Sequence, residues 1–220
     1  MMKSGETKCD LQEQPPNSMA TVLVTTGATV TFRELISYVC LVECVSKLAR
    51  LGVRKLVVQY GNEIGKSGDH ISRGHFEKSV TSLEASGFKR EGELSDHEIV
   101  LESESMNVLA FPFTHDILSH IETADIIVSH AGTGSIIDVL RLKKNLVVVT
   151  NDSLLDNHQL EVALMMAKEE YLIDCTLEEM RSGKLVESIG NIILGKANFN
   201  ALPEPEDGTV ETVIVEELLG

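Results

Sequence analysis

Ile126-Ile127-Val128-Ser129-His130-Ala131-Gly132-Thr133-Gly134-Ser135-Ile136-Ile137-Asp138 is the stretch whose reading decides the fold. A short apolar run, Ile126 to Val128, feeds a glycine-bearing turn, and helical spacing follows at Ile136, Ile137 and Leu140. A strand that passes through such a turn into a helix is a phosphate-binding device. Glycines let the backbone approach an anion closely, and the helix start offers free N–H groups with partial positive charge. Asp138, one turn further on, is placed to reach the hydroxyls of a ribose attached to that phosphate.

Outward from this stretch the chain alternates strands and helices. Thr21 to Thr26 reads as a buried strand of β-branched residues ending at Gly27. A helix is expected from about Phe32 to Leu51, with Leu35, Val39, Val42, Val45 and Ala49 as its apolar stripe and Gly52 as its end. Lys55 to Tyr60 is a second strand, again followed by glycine, Gly61. A helix over about Ile71 to Ser86 and short strands at Glu98 to Leu101 and Asn107 to Phe111 come next. The acidic stretch Lys89 to Ser105 reads as a solvated hairpin, with a mobile insertion as the alternative. A short helix over Thr114 to Glu122, capped by Thr114, precedes the strand Ala124 to Ser129 and the helix Thr133 to Leu142. Asn145 to Thr150 is another buried strand. A helix from about Asp156 to Glu169, a strand at Tyr171 to Cys175 and a helix from Leu177 complete the pattern.

Continuous apolar strands alternating with helices predict an α/β fold: a Rossmann-like parallel sheet with helices on both faces. Ligands of such sheets bind beyond the carboxyl ends of the strands, where the strand order switches. The turns at Gly27, Gly61, Gly132 and Asn151 all fall on that edge. One domain is expected over 20–190, after a disordered leader at 1–19 and before a C-terminal segment at 191–220, with no internal repeat. The spacing of Val213, Val215, Leu218 and Leu219 in that last segment suits core packing.

Composition narrows the function. The chain has 220 residues, a net charge of −15, 4% aromatic residues and no Trp. That charge argues against nucleic-acid binding and against direct docking on anionic lipid. No apolar run approaches the roughly 20 residues that span a bilayer, and Met1 to Asn17 is polar with two prolines, Pro15 and Pro16. The expectation is a soluble, intracellular protein. Cys40 and Cys44, four apart on the expected helix, share a face, but no second pair completes a metal site, so Cys9, Cys40, Cys44 and Cys175 read as reduced thiols. His70, His75, His97, His115 and His120 lie in polar or loop contexts and read as surface residues.

Three blocks carry a family resemblance: Val24-Thr25-Thr26-Gly27-Ala28-Thr29, Ser129 to Asp138, and Asn151-Asp152-Ser153-Leu154-Leu155-Asp156-Asn157-His158-Gln159. From about Thr21 to Tyr171 their order and separation resemble the soluble subunit of the eukaryotic enzyme that adds the second N-acetylglucosamine to the dolichol-linked oligosaccharide precursor. More distantly they are similar to the donor-binding, C-terminal half of GT-B glycosyltransferases, including bacterial lipid-linked N-acetylglucosamine transferases and plant UDP-sugar-dependent enzymes. The resemblance implies inverting transfer from UDP-N-acetylglucosamine, with no further cofactor. It also implies no metal, in keeping with the lack of an Asp-x-Asp motif.

Residue by residue, the resemblance has His130 contact the diphosphate, and Gly132, Thr133, Gly134 and Ser135 supply N–H and hydroxyl donors. Asp138 accepts from the ribose; relatives often carry Glu there, one methylene longer. Asn157, His158 and Gln159 touch the sugar and diphosphate, and such groups suit hydroxyls because each donates and accepts. Gly27 and Thr29 face the diphosphate or the acceptor from the opposite side, although Thr29 equally suits an ordinary loop. Asp156 fits this site and an N-cap alike. Inverting transfer needs a general base for the acceptor hydroxyl, and no residue of this chain is assigned that role. The family implies a membrane-anchored partner that supplies the acceptor half, binds the dolichol-linked acceptor and recruits the chain to the cytosolic face of the endoplasmic reticulum. In it the C-terminal segment helps to hold that partner. A non-catalytic nucleotide-sugar-binding or regulatory module on the same fold is the competing reading. A self-contained nucleotide-sugar epimerase is disfavoured by the lack of a second domain.

Overall fold

The computed structural model describes residues 19–27, 30–91, 98–151 and 157–203. The expected leader up to residue 18, the hairpin tip at 92–97, Asp156 and the stretch from Val210 lie outside the described residues. The strands are β1 (Ala20–Thr25), β2 (Val53–Gln59), β3 (Lys89–Glu91), β4 (Ile99–Glu102), β5 (Asn107–Phe111), β6 (Ile126–His130), β7 (Asn145–Thr150) and β8 (Ile173–Thr176). Among the described residues they form one sheet in the order β3-β4-β5-β2-β1-β6-β7-β8. The strands from β5 to β8 in that order are parallel, paired for example as Val24 with Val58 and with Val128.

The apolar runs are continuous because both faces of the sheet are covered. Val22, Val24, Val128, Val147 and Val149 point into one hydrophobic cluster, while the alternate residues Leu23, Ile127, Leu146 and Val148 point into the other. The first cluster is closed by α1 (Arg33–Val39), α2 (Val42–Arg50), α3 (Ile71–Ala85), α7 (Leu177–Ser182) and α8 (Lys184–Ile193). The second is closed by α4 (Ile117–Thr123), α5 (Thr133–Arg141) and α6 (Asn157–Lys168). The chain winds outward from β1 through β2 to β5, then returns to add β6 on the other side of β1. Helices α1 and α5, which follow β1 and β6, therefore leave on opposite faces of the sheet. The crevice between these two strand ends is the topological switch point.

Four expectations are corrected. The sheet is not wholly parallel: β3 and β4 form an antiparallel hairpin that extends it beyond β5, so the hairpin reading of the acidic stretch holds. The single helix expected over Phe32 to Leu51 is two, because Leu41 is extended (φ −64°, ψ 133°) and redirects the chain. The break lets α1 pack on α3 while α2 packs on α8. Cys40 and Cys44 thus flank a break rather than share a helical face, yet both are buried. Burial pushes the Cys44 thiol and the Cys175 thiol up to about 12 and raises Cys40 as well, which leaves all three protonated and inert. Thr114 does not cap α4, which starts after Asp116; its hydroxyl accepts from the Asp116 N–H at 3.1 Å in a local turn. The helix from Leu177 stops at Gly183 (φ 106°) and restarts as α8. The left-handed region favours glycine at that position.

Beyond α8 the chain stays on the body. The Asn200 N–H donates to the Glu170 carbonyl at 2.9 Å, and Leu202 packs on the second cluster. Among the described residues no helix is long and apolar enough to cross a membrane.

Candidate functional site

The ends of β1 and β6 are tied by buried hydroxyls. Thr25 Oγ donates to Ser129 Oγ at 2.9 Å, and Ser129 Oγ donates to the His130 carbonyl at 2.8 Å. Thr26 Oγ donates to the Gln59 carbonyl at 2.8 Å, which links β1 to its other neighbour. Each central strand therefore ends on a polar residue that fixes the position of the loop beginning there.

His130 sits between two of those loops. A Cβ on Gly132 would lie 2.5 Å from its Nε2, and a Cβ on Gly27 would lie 3.0 Å from the same atom. Any side chain at either position displaces the imidazole. Gly27 is also at φ +81°, a region that other residues rarely adopt. The turn itself is tight, for the Gly132 N–H donates to the His130 carbonyl at 2.8 Å.

Burial lowers the pKa of His130 below 6.5, and a backbone hydrogen bond with Thr25 opposes this only in part, so the imidazole is neutral at pH 7. Its Nδ1 is buried and without a partner among the described residues, as is Thr150 Oγ1 at the end of β7, the next strand. An unmet buried polar group costs about 1–3 kcal/mol. Two of them lie at neighbouring strand ends, beside a helix start, where a polar ligand can supply partners.

Helix α5 begins at that point. Gly132 is its N-cap, with no side chain to cap it, and the first intrahelical bond runs from the Ile136 N–H to the Gly132 carbonyl at 3.0 Å. The N–H groups of Thr133, Gly134 and Ser135 have no capping side chain and lie at the positive end of the helix. Gly134 is exposed, and a Cβ there would meet nothing within 4 Å. Asp138 is half-buried, on the same helical face as Ser135 and Gly134, and its carboxylate has no partner among the described residues.

Gly27, His130 and Gly132 are thus brought into contact, and Thr133, Gly134, Ser135 and Asp138 continue from them along α5. Asn157, His158 and Gln159 open α6, the helix after β7, so its first turn lies beside that of α5 on the same rim. The side chains of Asn157 and His158, and all of Thr29, lie outside the described residues. No group of three or more His, Cys, Asp or Glu side chains able to hold a metal occurs among the described residues.

Sequence reasoning missed three features: the Thr25–Ser129 pair, Thr150, and the packing against Gly27 of the connection after β2, whose glycine turn it had placed on this rim. The Gly27 carbonyl lies 3.2 Å from where a Cβ on Gly61 would be. The first two had a signal, since the apolar runs of β1, β6 and β7 each end on a hydroxyl residue. The third follows only from strand order.

Comparison with known proteins accords with this geometry. A sequence model of the glycosyltransferase family 28 C-terminal domain matches residues 21–210. The UDP-N-acetylglucosamine transferase subunit ALG13 of Debaryomyces hansenii is 39% identical over 211 residues, covering 91% of this chain and 100% of that protein. Its Candida albicans counterpart is 35% identical over 219 residues, covering 91% and 74%. Among solved structures, an NMR solution structure of ALG13 superposes with a TM-score of 0.59 at 28% identity over 91% of this chain and 98% of that one. MurG of Acinetobacter baumannii shares the fold, with a TM-score of 0.50 at 14% identity over 84% of this chain and 46% of its own.

Proposed function

The chain belongs to the glycosyltransferase family 28 C-terminal domain family, and from that premise we propose that it is the donor-binding subunit of a heteromeric UDP-N-acetylglucosamine transferase. The acceptor is N-acetylglucosaminyl-diphosphodolichol, and transfer is inverting and metal-independent. A membrane-anchored partner holds the acceptor and keeps the chain at the cytosolic face of the endoplasmic reticulum. The observation that carries the reading is the buried Nδ1 of a neutral His130, without a partner among the described residues, in a ring wedged between Gly27 and Gly132 beside the glycine-capped start of α5.

In this reading the diphosphate of UDP lies over that helix start. The Thr133, Gly134 and Ser135 N–H groups donate to its oxygens with the His130 ring beside them, and Asp138 accepts from the ribose hydroxyls. As the acceptor hydroxyl attacks the anomeric carbon, the bond to UDP breaks and negative charge grows on the leaving phosphate. Fixed N–H donors and the helix dipole stabilise that charge, the dipole by about 0.3–1 kcal/mol per charge when exposed and more when partly buried. Asn157, His158 and Gln159 hold the sugar from the neighbouring helix. The hydroxyl proton passes to a base on the partner's side of the crevice.

A partner also suits the rest of the rim. Val30, Ile64 and Phe113 are exposed on the connections that leave the carboxyl ends of β1, β2 and β5, neighbours in the sheet, and Leu118 is exposed in the first turn of α4. The experiment combines the purified chain with membranes that carry the partner, UDP-N-acetylglucosamine and the lipid-linked acceptor. Transfer is expected from the pair, is expected to persist in EDTA, and is not expected from the chain alone. Robust turnover by the isolated chain, or loss in EDTA restored by a divalent cation, contradicts the proposal; nucleotide binding without transfer by the pair selects the non-catalytic module instead.

A further inference from the structure

The connection from β1 to α1 carries Gly27 at its start, on the His130 ring, and Thr31 at its end, 3% exposed. What fixes its far end is a second loop, the one after β2. The Thr31 N–H donates to Glu63 Oε2 at 2.9 Å, and the Thr31 and Ser72 hydroxyls lie 2.7 Å apart. The Glu63 N–H in turn donates to Ser72 Oγ at 2.8 Å, with Ser72 1% exposed at the start of α3. Hydrogen bonds from the Thr31 hydroxyl and N–H hold the Glu63 carboxyl below its usual range, with a smaller contribution from Arg33, 3.8 Å away. Ser72 Oγ accepts from the Glu63 N–H and shares a hydrogen bond with Thr31 Oγ1, in which either hydroxyl can be the donor. The three residues close a ring of hydrogen bonds. Nearer the strand, Gly61 packs on the Gly27 carbonyl, 3.2 Å from where a Cβ would lie, and its φ of +87° disfavours any side chain there.

We propose that Glu63, oriented by Ser72, is a positioning residue for donor binding: it anchors the Thr31 end of the β1–α1 connection so that the Gly27 end stays against His130. It touches neither nucleotide nor sugar and acts through the loop. This inference rests on the donor-site reading above. With the anchor in place the Thr31 end is fixed before the nucleotide arrives; without it, binding must fix that end and is weakened accordingly.

The test measures UDP affinity of the full chain by calorimetry and records amide spectra without nucleotide, for wild type, Glu63→Ala, Glu63→Gln, Ser72→Ala and Arg33→Ala. Glu63→Ala is expected to bind UDP about tenfold more weakly, the factor carried by one hydrogen bond to a charged group. Its melting temperature should stay within a few degrees of wild type, and the Gly27 and His130 amide resonances should shift or broaden. Glu63→Gln keeps an acceptor for the Thr31 N–H and is expected to recover most of the affinity. Arg33→Ala, which removes only the distant cation, is expected to bind like wild type. If Glu63→Ala does not fold, Ser72→Ala carries the same expectation. Folded Glu63→Ala with wild-type affinity and unmoved Gly27 resonances overturns this inference alone, whereas a wild-type chain that does not bind UDP overturns the donor-site reading and this inference with it.

Discussion

The β6–β7 half of the rim and the β2–β5 half are made of the same α/β units but finish differently. At the first, two buried polar atoms, His130 Nδ1 and Thr150 Oγ1, have no partner among the described residues, and a helix starts on a glycine with no side-chain cap. At the second, polar atoms are satisfied internally through Thr31, Glu63 and Ser72, and the exposed residues include three large apolar ones, Ile64, Phe113 and Leu118. In the function proposed above, one half takes the anionic part of the donor, while the other steadies it and faces the partner. Between them runs the β1 loop, held from both sides by glycine contacts. A switch-point site therefore needs both halves, although chemistry is concentrated in one.

The sharpest way to break this contrast is Gly132→Ala. Its Cβ would lie 2.5 Å from His130 Nε2, so the imidazole must leave its slot. Overpacking of about 1–3 kcal/mol adds to that displacement, and UDP affinity should fall by more than about a hundredfold, as calorimetry would show. Gly134→Ala, one turn position away in open space, should leave the fold intact and serves as the control. Asp138→Ala comes next. Loss of a hydrogen bond to a charged acceptor costs about 1.5–3 kcal/mol, or roughly ten- to a hundredfold in affinity, with the melting temperature unchanged; undiminished affinity would make Asp138 a surface carboxylate.

On the other half, Ile64→Asp and Phe113→Asp should each weaken co-purification with partner-bearing membranes by roughly fivefold while UDP affinity stays at the wild-type level, as for apolar contacts buried between proteins. Equal loss of both would erase the division of labour. The smallest effect concerns pH. Burial lowers the pKa of His130 below 6.5, so the unfolded chain takes up a proton first as pH falls. The stability due to a neutral His130 is full above about pH 6.5 and declines below it, toward the folded pKa. Melting temperature measured between pH 7.5 and 5.5 should fall a degree or two more steeply in wild type than in His130→Leu.

Much of this was legible in the sequence. The buried strands could be read because both their faces are covered, which leaves unbroken runs such as Ile126 to Val128 and Leu146 to Val149. The turn between β6 and α5 was legible because glycines between an apolar run and a helical pattern mark such a connection, and Gly132 is where the structure leaves no room for a Cβ beside His130. The break at Leu41 was not, for it is set by tertiary packing of α1 on α3 and α2 on α8, and no glycine or proline marks it. The Glu63–Ser72–Thr31 ring was hidden for a related reason. Its members are up to 41 residues apart and meet only because β2 lies beside β1.

The central claim is that the β1–β6 crevice binds the nucleotide of a sugar donor through fixed backbone and imidazole groups. Titration of the isotopically labelled full chain with UDP-N-acetylglucosamine, in EDTA and followed by amide and imidazole resonances, tests it most directly. The account predicts saturable shifts at Gly27, His130, Gly132, Thr133, Gly134, Ser135 and Gln159, with a much smaller response at Ile64 and Phe113. Saturable shifts confined to residues away from β1, β6 and α5, or none at all at millimolar nucleotide, would contradict it.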